Sequence, residues 1–380
     1  MNNNFYRDTW VEIDLDALQH NYQQFAALRP NQQMIAVIKA NGYGHGDLQM
    51  AQLYTELGVA YLAVSSLDEA IKIRHNQITT PIIVLAPVKI ADVSTAALFS
   101  VTVVAYDEQW VAELAHVQLT KQLKIHLEVE TGMNRIGLRS VKKTYDQLCQ
   151  IPNIKIEGIY THIASADSDL DSVKRQLDAF GRIIKSFNPQ TFKLIHIANT
   201  PTTMQYDLPI TNSHRVGLGL YGINPDENFI KAQLPLRPAL TMFSRLTQVS
   251  KLKPGDAVSY GATFVTDQEI YVGTLSVGYA DGWLRANQGR RIIINGYECE
   301  IIGRICMDQM MVKLPNADFA IGDVATLIGD RMPVARVATE LATIPYEILT
   351  LISDRIPRLY KQDNEIITIN HGRFTQSTNN

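Results

Sequence analysis

From residue 34 to about residue 221 the chain alternates short, β-branched apolar runs with longer stretches whose apolar residues recur at helical spacing. That alternation is the mark of repeated βα units feeding a parallel sheet. Seven runs read as strands: MIAVIKA at 34–40, AYLAVS at 60–65, PIIVLA at 81–86, VTVVAY at 101–106, LKIHLEVE at 123–130, IKIEGIYTHI at 154–163 and FKLIHIA at 192–198. An eighth, short strand ends near Arg215. Helical patterns such as DLQMAQLYTELG, DEQWVAELAHVQLTK and SVKRQLDAFGRIIKSF lie between them. Eight strands with intervening helices predict a (β/α)8 barrel. One further strand and helix, VEIDL and DALQHNYQQF, precede it.

After LPLRPAL at 234–240 the texture changes to short alternating runs punctuated by KPGD, YGA, GYADG, INGYE and AIGD, with helical periodicity returning only at VARVATELA. This predicts a mainly β second domain. Pro235 and Pro238 mark the boundary, giving an α/β barrel domain at 1–236 and a β-rich domain at 237–380. No repeat of fixed period is present, which excludes a solenoid.

Composition narrows the partners. The 380 residues are 46% hydrophobic, enough to bury a large core, and Lys+Arg 35 against Asp+Glu 38 leaves no basic excess for nucleic acid or an anionic membrane. No apolar stretch approaches the ~18 residues of a membrane helix, and the amino terminus has no signal-peptide pattern. Cys149, Cys299 and Cys306 are unrelated in spacing, so neither a disulfide framework nor a metal site is expected, and a reducing cytoplasm fits.

In a parallel barrel, chemistry collects at the carboxyl ends of the strands. Lys39 ends the first run. A lysine there is either snorkelling to solvent or held partly buried with a lowered pKa, as an imine-forming lysine must be. Gly42, Gly44 and Gly46, interleaved with Tyr43 and His45, favour the second reading because they allow backbone to approach a ligand closely. His162 closes the sixth strand, and by itself a histidine there is more often structural. Asn199 and Thr200 close the seventh. Arg215 precedes VGLGLYG, whose glycines 217, 219 and 222 can present N–H groups to an anion. An aldehyde-reactive lysine, a phosphate nest and an arginine form an inventory for pyridoxal 5'-phosphate. Arginine cannot accept a proton, so it would leave the pyridine nitrogen neutral and favour reprotonation at Cα over decarboxylation or transamination.

Eight segments carry a resemblance: AVIKANGYGHG, ETGMNRIGLR, THIASAD, HIANTPTT, HRVGLGLYG, VSYGATF, VGYADGW and GRICMDQ. From about residue 8 to about residue 361 the chain resembles the bacterial alanine racemases, fold-type III pyridoxal phosphate enzymes. The resemblance implies interconversion of L- and D-alanine in the cytoplasm, supplying D-alanine for peptidoglycan, by a homodimer with shared active sites. It implies that Lys39 holds the cofactor and serves as one base, and that Tyr260 from the other subunit serves as the opposite base. His162 would lie between Tyr260 and Arg215, and Arg215 would face the pyridine nitrogen. Tyr43, Thr200, Gly217 and Leu218 would hold the phosphate. Arg135 would orient the cofactor's phenolic oxygen and the substrate carboxylate, with Met307, Asp308, Tyr279 and Arg285 shaping the entry from the neighbouring chain. Two bases make physical sense, because racemisation removes a proton from one face of Cα and returns one to the other. A tyrosine, with an ordinary pKa near 10, needs a cationic or donor neighbour to act as a base.

Three positions depart from the family. Glu128 stands where many members carry a carbamylated lysine, so no carbamate is expected and a Glu128–Arg135 hydrogen bond should replace it. Asp354 stands where a phosphate-contacting tyrosine is usual. It should turn away or pair with Arg355 or Arg358, and the space it leaves suggests serine as an additional substrate. Asn134, where glycine is common in the family, is tolerable because asparagine visits left-handed backbone. Two rival functions remain at this level: a decarboxylase of basic amino acids, which Arg215 argues against, and a non-catalytic pyridoxal phosphate carrier of one barrel, which would have no use for Tyr260.

Overall fold

The computed structural model describes residues 5–188, 190–225, 230 and 234–372, which form two compact units. Of the described residues, those within 19–42 and 46–237 form one, and those within 1–18, 43–45 and 238–380 the other.

The first unit is a closed eight-stranded parallel barrel. With β1 reserved for Thr9–Asp14, its strands are β2 (Gln33–Val37), β3 (Tyr61–Val64), β4 (Ile82–Val84), β5 (Val101–Ala105), β6 (Leu123–Glu128), β7 (Ile154–Tyr160), β8 (Leu194–His196) and β9 (Ser213–Val216). Each matches one of the eight expected runs. The strands are short and almost wholly buried because both of their faces are covered, the condition that selects continuous Val, Ile and Leu runs over alternation. Closure is direct: β2 pairs with β3 on one side and with β9 on the other, Gln33 opposite Ser213. Helices follow with local start signals. Asp169 caps Leu170–Ile184 by accepting from Ser172 N, and Ser66 and Glu69 form a capping box at Leu67–His75. The pattern at 107–121 gives only Glu108–Leu114. His116 N and Val117 N turn back to Glu113 and Leu114, three residues behind, and these tighter turns end the helix.

The second unit is a nine-stranded sheet. Its long strand β10 (Leu240–Leu252) pairs in its first half with Val324–Ile328 and in its second half with Ile270–Leu275. Six strands thereby close on themselves, around a core that includes Val258, Ile270, Val272 and Ile302.

The amino-terminal strand β1 goes elsewhere than the 1–236 domain expected for it. It pairs antiparallel with β10 and parallel with Arg358–Gln362. The reason is topological, since a closed eight-stranded barrel has no edge to take a ninth strand, whereas the first half of β10, which Ile270–Leu275 does not reach, keeps one. Residues 43–45 also belong to this second unit: Arg358 Nε donates to Gly44 O at 2.8 Å, and the Tyr360 hydroxyl donates to His45 O at 2.9 Å.

Candidate active site

Lys39 follows β2 at the start of a left-handed turn. Ala40, Asn41, Gly42, Tyr43 and Gly44 all have positive φ, between 52° and 81°. Each non-glycine residue in that region costs on the order of 1–2 kcal/mol, so the turn persists only because its surroundings hold it. Several bonds do. Gly42 N reaches Ile38 O at 2.9 Å, Gly46 N reaches Asn41 O at 2.8 Å, Asp47 N reaches the Asn41 side chain at 3.0 Å, and Ala40 N donates to Glu69 at 2.7 Å. Glu69 is also the capping-box residue of the next helix, so one carboxylate fixes both the cap and the lysine turn. Lys39 is half-buried. Burial, and then the Arg135 charge, lower its pKa, with Glu69 opposing. The neutral amine that a covalent and basic lysine requires is thus made more available.

Glu128 closes β6 and is almost fully buried. Its carboxylate accepts from the Tyr160 hydroxyl at 2.6 Å, and among the described residues no hydrogen bond or ion pair joins it to Arg135, which is exposed. The expected Glu128–Arg135 hydrogen bond is therefore corrected: a tyrosine two strand positions before His162, inside the barrel, satisfies the carboxylate, and Arg135 acts on it only through its charge. Burial raises the Glu128 pKa to about 6, against the pull of Tyr160, Arg135 and Arg215. Glu128→Gln should keep a Tyr160 partner while removing the buried charge. The variant is expected to be more stable by about 2 kcal/mol at pH 8, judged from chemical denaturation, with the gain vanishing below pH ~4.5, and to bind substrate more weakly.

Arg215, on β9, is the most heavily tied group of the barrel. Its Nη1 donates to His196 Nδ1 at 2.6 Å and to His196 O at 3.0 Å. Its Nη2 donates to Thr161 O and Ile197 O, each at 3.0 Å, and lies 3.2 Å from His162 Nδ1. Its guanidinium stands 5.0 Å over the Tyr160 ring. Nε has no hydrogen-bond partner among the described residues and is the one direction left for a ligand. Because arginine only donates, His162 Nδ1 must accept, and the neutral ring carries its proton on Nε2. Burial first, then the Arg215, Arg135 and Lys39 charges, hold His162 near a pKa of about 3, so it stays neutral.

Thr200 starts the short helix Thr200–Gln205, capped by Asn199, which accepts from Thr202 N. The Thr200 hydroxyl oxygen accepts from Gly217 N at 3.1 Å, leaving its own proton to donate. Gly219 cannot be anything larger, because a Cβ there would lie 2.4 Å from Phe25 and 2.8 Å from Thr200. The turn Gly217–Leu218 thus sits against the hydroxyl.

The remaining expected residues lie in the second unit. Tyr43 is buried and packs 5.9 Å from the Tyr346 ring, and burial keeps its hydroxyl protonated. Tyr260 is 72% exposed, with Tyr279 at 42% and Met307 at 54%, and the Tyr260 and Met307 segments meet where Ser259 Oγ lies 3.5 Å from Cys306 Sγ. Tyr279 N and Ala280 N bond Cys306 O and Met307 O at 3.1 and 3.0 Å, which aligns the YAD turn with the CMD loop. Arg285 opens the following 3₁₀ turn, Arg285–Asn287.

Four residues, Arg7, Asp281, Arg304 and Arg355, have partners that a sequence reading does not give. Arg355 reaches Asp308 at 2.7 Å and Asp281 at 3.3 Å, and Arg7 reaches Asp281 at 2.5 Å, so fully buried Asp281 and Arg355 brace the loop carrying Met307. Arg304 packs on the Tyr260 turn: Ser259 Oγ donates to Arg304 O at 2.5 Å, and Gly261, at φ 72°, lies under its guanidinium. Their charge alone gave no signal of this pairing. Asp354 pairs with Arg358 at 3.8 Å.

Two family models match, the alanine racemase N-terminal domain over residues 13–225 and its C-terminal domain over residues 239–360. The alanine racemase of Halalkalibacterium halodurans is 38% identical, covering 96% of this chain and 98% of that protein, and that of Geobacillus stearothermophilus is 37% identical, covering 97% of each. Among solved structures, the alanine racemase of Bacillus anthracis with bound L-Ala-P superposes with a TM-score of 0.92 at 34% identity, covering 97% of this chain and 98% of that one. Barrel, lysine turn and companion β unit together are those of an amino-acid racemase, an isomerase. The chain belongs to the alanine racemase family. A single-barrel carrier is set aside because the match runs through both domains, and a basic amino-acid decarboxylase because both matched models are those of alanine racemase.

Proposed function

We propose that the protein interconverts L- and D-alanine with pyridoxal 5'-phosphate, in homodimers whose active sites combine the barrel of one subunit with the second unit of the other. The observation that carries the cofactor is the donor set at Arg215. Both of its terminal nitrogens are taken by protein acceptors, and Nε–H, which cannot give up its proton, suits a neutral pyridine nitrogen. Thr200, with a hydroxyl proton to spare beside the Gly217–Leu218 turn, and the protonated Tyr43 hydroxyl suit a phosphate.

When bound, the cofactor draws electron density from Cα and acidifies its hydrogen. The chain supplies the rest. Lys39, with its charge disfavoured by burial and Arg135, takes or returns the proton on one face. Tyr260 of a second copy does so on the other. His162, its proton fixed on Nε2 by Arg215, donates toward the tyrosine oxygen. Arg135 holds the substrate carboxylate, and Tyr279, Arg285, Met307 and Asp308 line the approach. D-Alanine formed in this way would feed peptidoglycan synthesis.

The test is chiral analysis of product from L-alanine, with and without added pyridoxal 5'-phosphate, in D2O. D-Alanine carrying deuterium at Cα is expected only with cofactor, and its absence would overturn the reading. L-Serine belongs in the same assay because Asp354 is drawn to Arg358, leaving a small side chain where the family carries tyrosine.

A further inference from the structure

Behind Arg215 the barrel core holds two histidines that the proposed chemistry does not use. His196, on β8, and His126, on β6, are both fully buried. His126 Nδ1 lies 2.9 Å from His196 Nε2, and His196 Nδ1 lies 2.6 Å from Arg215 Nη1. The His196 ring stacks on Tyr160, 4.6 Å between centroids and 10° from parallel. Gly158 on β7 makes the arrangement possible, for a Cβ there would lie 2.7 Å from the His126 ring.

Arginine fixes the direction of this chain. Since Arg215 can only donate, His196 Nδ1 accepts, and a neutral His196 must carry its proton on Nε2. That proton points at His126 Nδ1, which must accept in turn, so the His126 proton lies on Nε2. There it meets no partner among the described residues. A buried donor without a partner is costly, which argues that the geometry is kept for what it does at the other end. We propose that His126 is a positioning residue for Arg215: by accepting from His196 it locks the His196 tautomer, and so the orientation of the guanidinium.

The coupling follows from what removal would do. Without an acceptor at position 126, His196 Nε2–H is left unpaired in the barrel core. His196 can relieve this by shifting its proton to Nδ1, but two donors would then face each other across 2.6 Å, and the guanidinium must move. The titratable groups acting on His126 are Glu157, which favours its protonation, and Arg215, Lys193 and Lys124, which disfavour it; on His196 they are Arg215 and His126, both of which disfavour it. Burial outweighs Glu157, and both rings stay neutral. The inference rests on Arg215 facing the cofactor ring nitrogen, but its test does not need turnover.

Long-range 15N–1H spectra of the histidine-labelled protein, with and without pyridoxal 5'-phosphate, report the tautomers. His196 and His126 are expected as neutral Nε2–H rings, unchanged from about pH 5.5 to 8. His126→Leu should give a mixed or Nδ1–H His196 signature and lower kcat/KM about tenfold or more, as loss of an orienting partner typically does. His126→Gln, whose amide oxygen can accept from His196, should restore the signature and keep kcat/KM within about threefold. An Nδ1–H or charged His196 in the wild type, or an unchanged His196 in His126→Leu, overturns the proposal. If His126→Leu does not fold, the wild-type spectrum and His126→Gln decide. Expected tautomers in a protein that makes no D-alanine would sink the proposed function and leave the locking role standing.

Discussion

Replacing Lys39 by alanine is expected to lower racemisation by at least ~10²–10⁴-fold in both directions, the range that a general acid–base group contributes. Tyr260→Phe should do the same while leaving the lysine–cofactor absorbance in place, because the barrel that holds the cofactor is untouched. Mixing the two inactive chains distinguishes a shared site from a self-contained one. In a two-fold dimer assembled at random, half of the molecules are mixed, and each of these has one site with both Lys39 and Tyr260 and one with neither. Roughly a quarter of wild-type turnover should return after mixing and re-equilibration. A mixture no more active than its parents would show that Lys39 and Tyr260 act within one chain or that Tyr260 is not a base. The exposure of Tyr260, Tyr279 and Met307 on segments that meet one another favours the shared site, since neighbouring exposed apolar side chains mark contact surfaces where scattered ones do not.

Much of this molecule was legible before its structure. All eight barrel strands were, because a strand buried on both faces leaves an uninterrupted β-branched run that little else produces. The sheet that β1 joins was not, since TWVEID has the same texture whichever edge receives it, and only barrel closure excludes the nearer one. The lysine turn was half legible. Glycines 42, 44 and 46 announced unusual backbone, but nothing announced that Ala40, Asn41 and Tyr43 would share their left-handed conformation. Pairings distant along the chain were the least legible. Tyr160 displaced Arg135 as the partner of Glu128, and Arg355 joined Asp281 and Asp308, because charge in a sequence says what a residue can bind and not what reaches it first. His126 and His196 passed as ordinary strand positions for the same reason. A histidine at an inward position of a barrel strand, with a glycine on the neighbouring strand, is the signal that would have found them.

Acid should unfold this protein by an unusual route. His126 and His162 are held to pKa values of about 3 and His214 to about 4, with His196 also well below its ordinary value, burial being the first cause in each. In the unfolded chain each titrates near 6.5. Above that pH neither state is protonated and these groups contribute nothing. As pH falls below 6.5 the unfolded chain takes up protons that the folded chain refuses, so stability falls with pH. For His126 alone the loss amounts to roughly 3 kcal/mol by pH 4.5, at about 1.4 kcal/mol per pH unit. Three fully buried histidines, 126, 196 and 214, behaving alike would erase most of a typical 5–15 kcal/mol stability before the carboxylates have titrated. Glu128 works the other way, gaining as pH drops from about 6, but it is one group with a smaller shift. Glu157, held to about 2 chiefly by Lys155 and Tyr61 against its burial, adds its own loss only below the ordinary carboxylate range. Denaturant midpoints should therefore fall steeply between pH 6.5 and 4.5, with a net proton uptake on unfolding of about three per chain near pH 5, about four taken up by the histidines less about one released by Glu128, and His126→Gln should reduce that uptake by about one. A stability that stays flat down to pH 5 would mean that these histidines are protonated, or hydrated, inside the folded barrel.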